Sequence, residues 1–146
     1  MSGRLTLELV TPEKLALSEA ADFVVLPAFD GEMGVLPGHE PYLVQLKPGE
    51  VRVQSGEERR SYAVSGGFAE ILHDKVSVFA ETAEMAEEID IERARQALEL
   101  AKAEARDKDM GSMTLVEAEA AMRRAEVRLR IASLHRPMKG PRRRQR

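Results

Sequence analysis

The chain has no cysteine and no tryptophan among its 146 residues. Without cysteine there are no disulfides, thiolate metal sites or cysteine nucleophiles. Long hydrophobic runs are missing too. Nothing approaches 18 consecutive apolar residues and 32% of the chain is charged, which excludes a helical membrane span. No basic start followed by an apolar stretch opens the sequence, so neither a secretory signal nor a transit peptide is readable. Aromatics are scarce, and all six (Phe23, Phe29, Tyr42, Tyr62, Phe68, Phe79) precede residue 80. Eight of the ten glycines and five of the seven prolines fall within residues 1–67, so the chain divides into two unlike architectures.

Catalytic signatures are equally absent. There is no Gly-x-x-x-x-Gly-Lys-Ser/Thr loop to cradle phosphates, and His39-Glu40 precedes Pro41 with no second histidine at helical spacing. Ser65-Gly66-Gly67 lacks the Gly-x-Ser-x-Gly elbow, and three separated histidines make no metal-ligand cluster. No catalytic residue and no metal is expected, and a binding or regulatory role follows.

The first part alternates with period two. Arg4–Val10, Asp22–Leu26, Tyr42–Leu46, Val51–Gln54, Ser61–Val64, Phe68–Leu72 and Lys75–Ala80 read as short strands. Turn signals separate them, among them Asp30-Gly31, Pro37-Gly38, Pro48-Gly49, Ser55-Gly56 and His73-Asp74. Strands that are apolar on one face must pack against another layer, which predicts an antiparallel β-sandwich. Phe23, Phe68 and Phe79 are the expected large fillers of its core.

From Asp90 the period becomes 3.6. Ile91, Ala94, Leu98, Ala101 and Ala105 mark one face of a first helix, and Gly111 follows its end. Thr114–Glu117 reads as a capping box, and Leu115, Ala118, Met122, Ala125, Leu129 and Ala132 mark a second helix, stopped by Pro137. The expected class is α+β: a β-sandwich over residues 1–86, an antiparallel helical hairpin over 87–138 and a basic, disordered tail over 139–146. Alanine at most seam positions buries little area, far below the ~1.5–3 kcal/mol of a buried Leu or Phe. Such a hairpin must lie on something or open.

The net charge of −3 conceals a split. Residues 123–146 hold nine Arg and Lys139 against one acid, Glu126, a net +9, while residues 1–122 carry −12. A basic terminus of this kind meets an acidic surface. It lacks the aromatic interleaving of a nucleic-acid binder, and no nucleic-acid partner is expected.

Three motifs in order resemble one family. Phe29–His39 is similar to a glycine-punctuated loop ending in Pro-Gly-His, Ser65–Ile71 to a Gly-Gly-Phe strand entry, and Ile89–Ala94 to an Ile/Leu-Asp-x-x-Arg-Ala motif. Together they resemble the epsilon-subunit family of F-type ATP synthases over about residues 4–136. The resemblance implies a non-catalytic rotor subunit beside the gamma subunit and the c-subunit ring. Its helices either fold on the sandwich or extend toward the alpha and beta subunits and block ATP hydrolysis. It also implies membrane association only through the complex, on the cytoplasmic face of a bacterial plasma membrane. The alternative is a stand-alone nucleotide-sensing or basic-tailed binding module.

By the same resemblance Glu32 would face the c ring and His39 would approach gamma, although tight-turn chemistry alone accounts for both positions. Glu84, Ile89, Asp90, Arg93, Ala94, Arg124 and Arg128 would form a regulatory ATP site, with no cofactor required. Asp90 and Arg93 equally suit a helix start, where an acid favours the dipole and pairs three residues on. Leu100 stands where strong binders carry a further arginine, and one lost phosphate contact of ~1.5–3 kcal/mol makes the implied affinity weak. Arg123, Arg124, Arg128, Arg130 and Arg136 would meet an acidic segment of the beta subunits.

Overall fold

The computed structural model describes residues 4–106 and 115–135, with backbone alone at Lys14, Ala16, Ala105 and Leu115. Ten strands come first: β1 (Leu5–Thr11), β2 (Lys14–Ala21), β3 (Phe23–Ala28), β4 (Gly31–Val35), β5 (Tyr42–Leu46), β6 (Gly49–Ser55), β7 (Glu58–Val64), β8 (Gly67–Leu72), β9 (Lys75–Ala80) and β10 (Ala83–Met85). A 3₁₀ turn (Ala86–Glu88) leads into α1 (Ile91–Arg106), and α2 (Leu115–Leu134) follows. The expected linking segment with Gly111 and Thr114, the stop at Pro137, Arg136 and the 139–146 tail all lie outside the described residues.

The strands form one continuous ladder, β10-β7-β6-β3-β5-β8-β9-β1-β2, with β4 beside β3. All pairs are antiparallel except β1 with β9, which is parallel. The ladder folds over on itself into a sandwich, so that β2 returns to β7. There Arg60 pairs with Glu19 at 3.0 Å, and the Tyr62 hydroxyl donates to the same carboxylate at 3.3 Å. At the neighbouring corner Asp22 accepts the Gly56 N–H at 2.6 Å and Arg4 Nε at 3.1 Å.

The core between the layers is aliphatic, with Leu5, Leu7, Leu9, Val24, Leu26, Val51, Ile71, Val76 and Val78 essentially free of solvent. The phenylalanines expected there lie elsewhere. Alternation that points Ala69 and Ile71 inward must point Phe68 outward, and Phe68 is 48% exposed. It stacks across the ladder on Phe79, ring centroids 5.0 Å apart, while Phe23 is only half-buried. Gly67 explains the strand entry that precedes Phe68: its φ is +130° and a Cβ would stand 2.0 Å from the Phe79 carbonyl oxygen. Three strands escaped the sequence reading. β2 alternates through small alanines, β4 carries two glycines within the predicted loop, and β10 has only three residues.

The helices follow their predicted seam. Ala94, Leu98, Ala101, Ala118, Ala125 and Ala132 are buried. α2 also carries a second stripe, Val127 and Ile131, continued by His135 just beyond its end and spaced by four, which the single-seam pattern does not predict. Ile131 is fully buried in a cluster with Ala63 of β7, Ala86, Ile89, Ala94 and Ala132. Ala94 near the start of α1 and Ile131 near the end of α2 share this cluster, as in an antiparallel hairpin, and the same cluster docks it on the sandwich through Ala63.

Ile131→Ala is expected to weaken docking by about 2–5 kcal/mol. Trypsin should then cut α2 faster while a sandwich fragment persists; equal loss of both would show one indivisible unit. The Gly56 N–H, with Arg4 beside it, holds the Asp22 carboxyl below its ordinary pKa. A depressed folded-state value means a contribution complete above the unfolded pKa of about 4 and lost as pH falls through the folded one. Asp22→Asn should therefore lower the melting temperature at neutral pH and converge with the parent near pH ~2.

Candidate functional site

The sandwich edge and the hairpin do not close completely. Between them lies a cleft of about 450 Å³, with Ser65, Thr82 and Glu84 on the sheet side, Ala97 on α1, and Ala121, Arg124 and Arg128 on α2. Its room comes from small side chains, Ala97, Ala121 and Ala125, where larger ones would fill it. Arg128 grips Glu84 through two donors, Nε to Oε1 and Nη2 to Oε2, the latter at 3.2 Å. This bond with Glu84 holds the guanidinium above its ordinary pKa against the opposing effect of burial, and the Asp90 carboxylate adds to it.

The seven residues implied as a nucleotide site therefore take different places. Glu84, Arg124 and Arg128 line the cleft. Asp90 stands within electrostatic reach of Arg128, and its Oδ1 accepts the Arg93 backbone N–H at 3.1 Å at the start of α1. The Arg93 side chain is exposed, whereas Ile89 and Ala94 are buried in the docking cluster. Among the described residues no group of three or more His, Asp or Glu could hold a metal ion.

Glu32 and His39 lie outside this cleft. Glu32 sits on β4, exposed, with both carboxylate oxygens bound by Arg52 at 2.9 Å. That hydrogen bonding, with the charge of Arg52, keeps the carboxyl below its ordinary pKa. His39 follows Gly38, whose φ is +84° and whose N–H donates to Asp74 at 2.6 Å. The His39 ring lies edge-on to Tyr42, and Phe29, Leu36, Tyr42 and Leu43 are exposed apolar side chains of the same segment.

The α2 arginines occupy two faces. Arg124 and Arg128 line the cleft, whereas exposed Arg123 and Arg130 do not; Arg123 reaches Glu119 at 4.0 Å. Arg136 lies outside the described residues. Two anchors were not legible in the sequence. His135 Nε2 meets Glu50 Oε1 of β6 at 2.6 Å, and Arg52 clasps Glu32. No local spacing could pair residues 85 apart; only the basic bias of α2 hinted at acidic partners.

Comparison with known proteins agrees over both halves of the chain. A family model described as the ATP synthase delta/epsilon chain β-sandwich domain matches residues 4–86, and the corresponding long α-helix domain matches 87–133. The protein named ATP synthase epsilon chain in Dehalococcoides mccartyi is 46% identical over 134 residues, 92% of this chain and 96% of that one. Its namesake in Syntrophobacter fumaroxidans is 46% identical over 90% of this chain and 98% of its own. Among solved structures, a chain in the OSCP/F1/c-ring assembly of Euglena gracilis mitochondrial ATP synthase superposes with a TM-score of 0.74. It is 32% identical and is matched over 90% of this chain and 82% of that one. A chain of the Tetrahymena thermophila central stalk and c ring, 14% identical with a TM-score of 0.54, shares the fold. The chain belongs to the delta/epsilon family of ATP synthase, whose members are non-catalytic subunits of that complex.

Proposed function

We propose that this central-stalk subunit joins the gamma subunit and the c ring to the catalytic alpha and beta subunits and restrains ATP hydrolysis through its hairpin. The observation that supports the reading is the manner of docking: a match to the epsilon chain over 92% of this chain, combined with helices held by a small apolar cluster around Ile131 and Ile89, one ion pair and one hydrogen bond from His135. Such an attachment can be released without unfolding the sandwich. Glu32 and His39, with the exposed apolar side chains around them, form the rotor-facing end. The helices dock against β6, β7 and β10.

In the docked state Glu84 neutralises Arg128. Release delivers Arg123, Arg124, Arg128, Arg130 and Arg136 to the acidic segment of the beta subunits, where several cations on one helix strengthen binding in a salt-dependent way. ATP favours the docked state by placing its phosphates against Arg124 and Arg128 in the cleft. It must displace Glu84 to do so, which, with Leu100 in place of an arginine, keeps binding weak. No described helix is long and apolar enough to cross a membrane. Attachment is peripheral, through the complex, on the cytoplasmic face of a bacterial plasma membrane.

Truncation after residue 88 is expected to leave rotor assembly intact and raise ATPase activity; an unchanged rate would remove the inhibitory role. Magnesium-free ATP titrated into the full chain should give saturable amide shifts at Asp90 and Arg93 in the millimolar range. Arg128→Ala should weaken that binding by about tenfold or more. Absence of any saturable shift at high millimolar ATP would remove the nucleotide site.

A further inference from the structure

Alternate residues of a strand share a face, so Glu50 and Arg52 stand side by side on β6. They reach in different directions. Arg52 takes both carboxylate oxygens of Glu32 on β4, each at 2.9 Å. Glu50 holds His135, the residue just beyond α2, at 2.6 Å. Glu32 is the main group raising the pKa of Arg52 above its ordinary value, and the Glu50 carboxylate contributes from the other side. A line of alternating donors and carboxylates therefore runs Glu32, Arg52, Glu50, His135, from the β4 strand to the end of the hairpin. Other charged groups line the clefts beside His135: Glu58, Arg59 and Arg60 from β7 and Glu87 from the 3₁₀ turn. Arg60 is already committed to Glu19 and Glu58.

We propose that Arg52 is an exchangeable partner that couples the state of Glu32 to the docking of the hairpin. A guanidinium presents two parallel donors and takes both oxygens of a carboxylate, as Arg52 does at Glu32, whereas His135 offers one. Once Glu32 is engaged by another surface, Arg52 turns to the adjacent Glu50 and displaces His135. The C-terminal end of α2 then loses its polar anchor and the hairpin loosens. The coupling has a defined two-state element, the docked and undocked hairpin, biased from a distant residue. That Glu32 is engaged by the rotor rests on the function proposed above. The exchange itself is a property of the isolated chain.

Amide hydrogen exchange of the full chain reads it directly, with β8 and β9 as an internal control of folding. Glu32→Gln should speed exchange in α2 by roughly threefold without changing β8 and β9. Glu32→Asp, which keeps a carboxylate for Arg52, should behave closer to the parent. In an Arg52→Gln background the effect of Glu32→Gln should vanish. Glu50→Gln should loosen α2 by itself and make Glu32→Gln silent. If Glu32→Gln leaves α2 exchange unchanged, or acts equally with Arg52 replaced, the exchange is wrong. Because no partner is present in these measurements, that failure leaves the rotor reading standing. Defective rotor assembly by Glu32→Gln would speak to the rotor reading alone.

Discussion

The attachment of α2 to the sandwich through Ile131 is the contact on which the behaviour of the second half depends. The seam between the helices is mostly alanine, and a methyl contributes about 0.8 kcal/mol where a full Ile side chain contributes up to about 3. Neither helix could be firmly held by the other. The sheet supplies what the seam lacks, through Ala63 beneath Ile131 and carboxylates on β10 and β6. The Arg128–Glu84 ion pair and the His135–Glu50 hydrogen bond are both partly exposed to solvent and contribute modestly. The result is a defined position held by a small apolar cluster and two polar contacts.

The charge split acquires a structural meaning in the same interface. The acidic body does not simply repel or attract at a distance; it places Glu84 opposite Arg128 and Glu50 opposite His135. Docking thus neutralises part of the basic terminus and leaves Arg124 and Arg130 exposed. An undocked α2 would leave Arg128 without its carboxylate partner, and Glu84 and Glu50 would be uncovered on the sandwich. Each layer becomes more attractive to a partner of opposite charge when they separate.

Much of the fold was legible because period is a local property. The change from two to 3.6 near Asp90 and the alanine seam could be read directly from spacing, and the helices form there. The composition of the core was harder. Phe68 and Phe79 look like core residues by size, yet their phase relative to Ala69, Ile71 and Val78 places them on the outer face. β4 was hidden by Gly31 and Gly34, which mark turns in sequence but tolerate an extended edge once β3 supplies the ladder. In the candidate site, arginines one turn apart were visible as a pair. Their carboxylate partners belong to strands far away in sequence, where only the folded sheet brings them within reach.

The parallel pairing of β1 with β9 sets an order of events for the folding chain. Thr6 lies opposite Lys75, so the first strand has no neighbour on that side until nearly the whole sandwich exists. Closing so long a loop is costly and slow relative to the local contacts of a helical hairpin. Every ladder of the sheet is nevertheless complete by Met85, before either helix begins. The helices therefore arrive at a finished surface and contribute nothing to closing it. A sandwich that closes without the helices would keep its integrity if they left it.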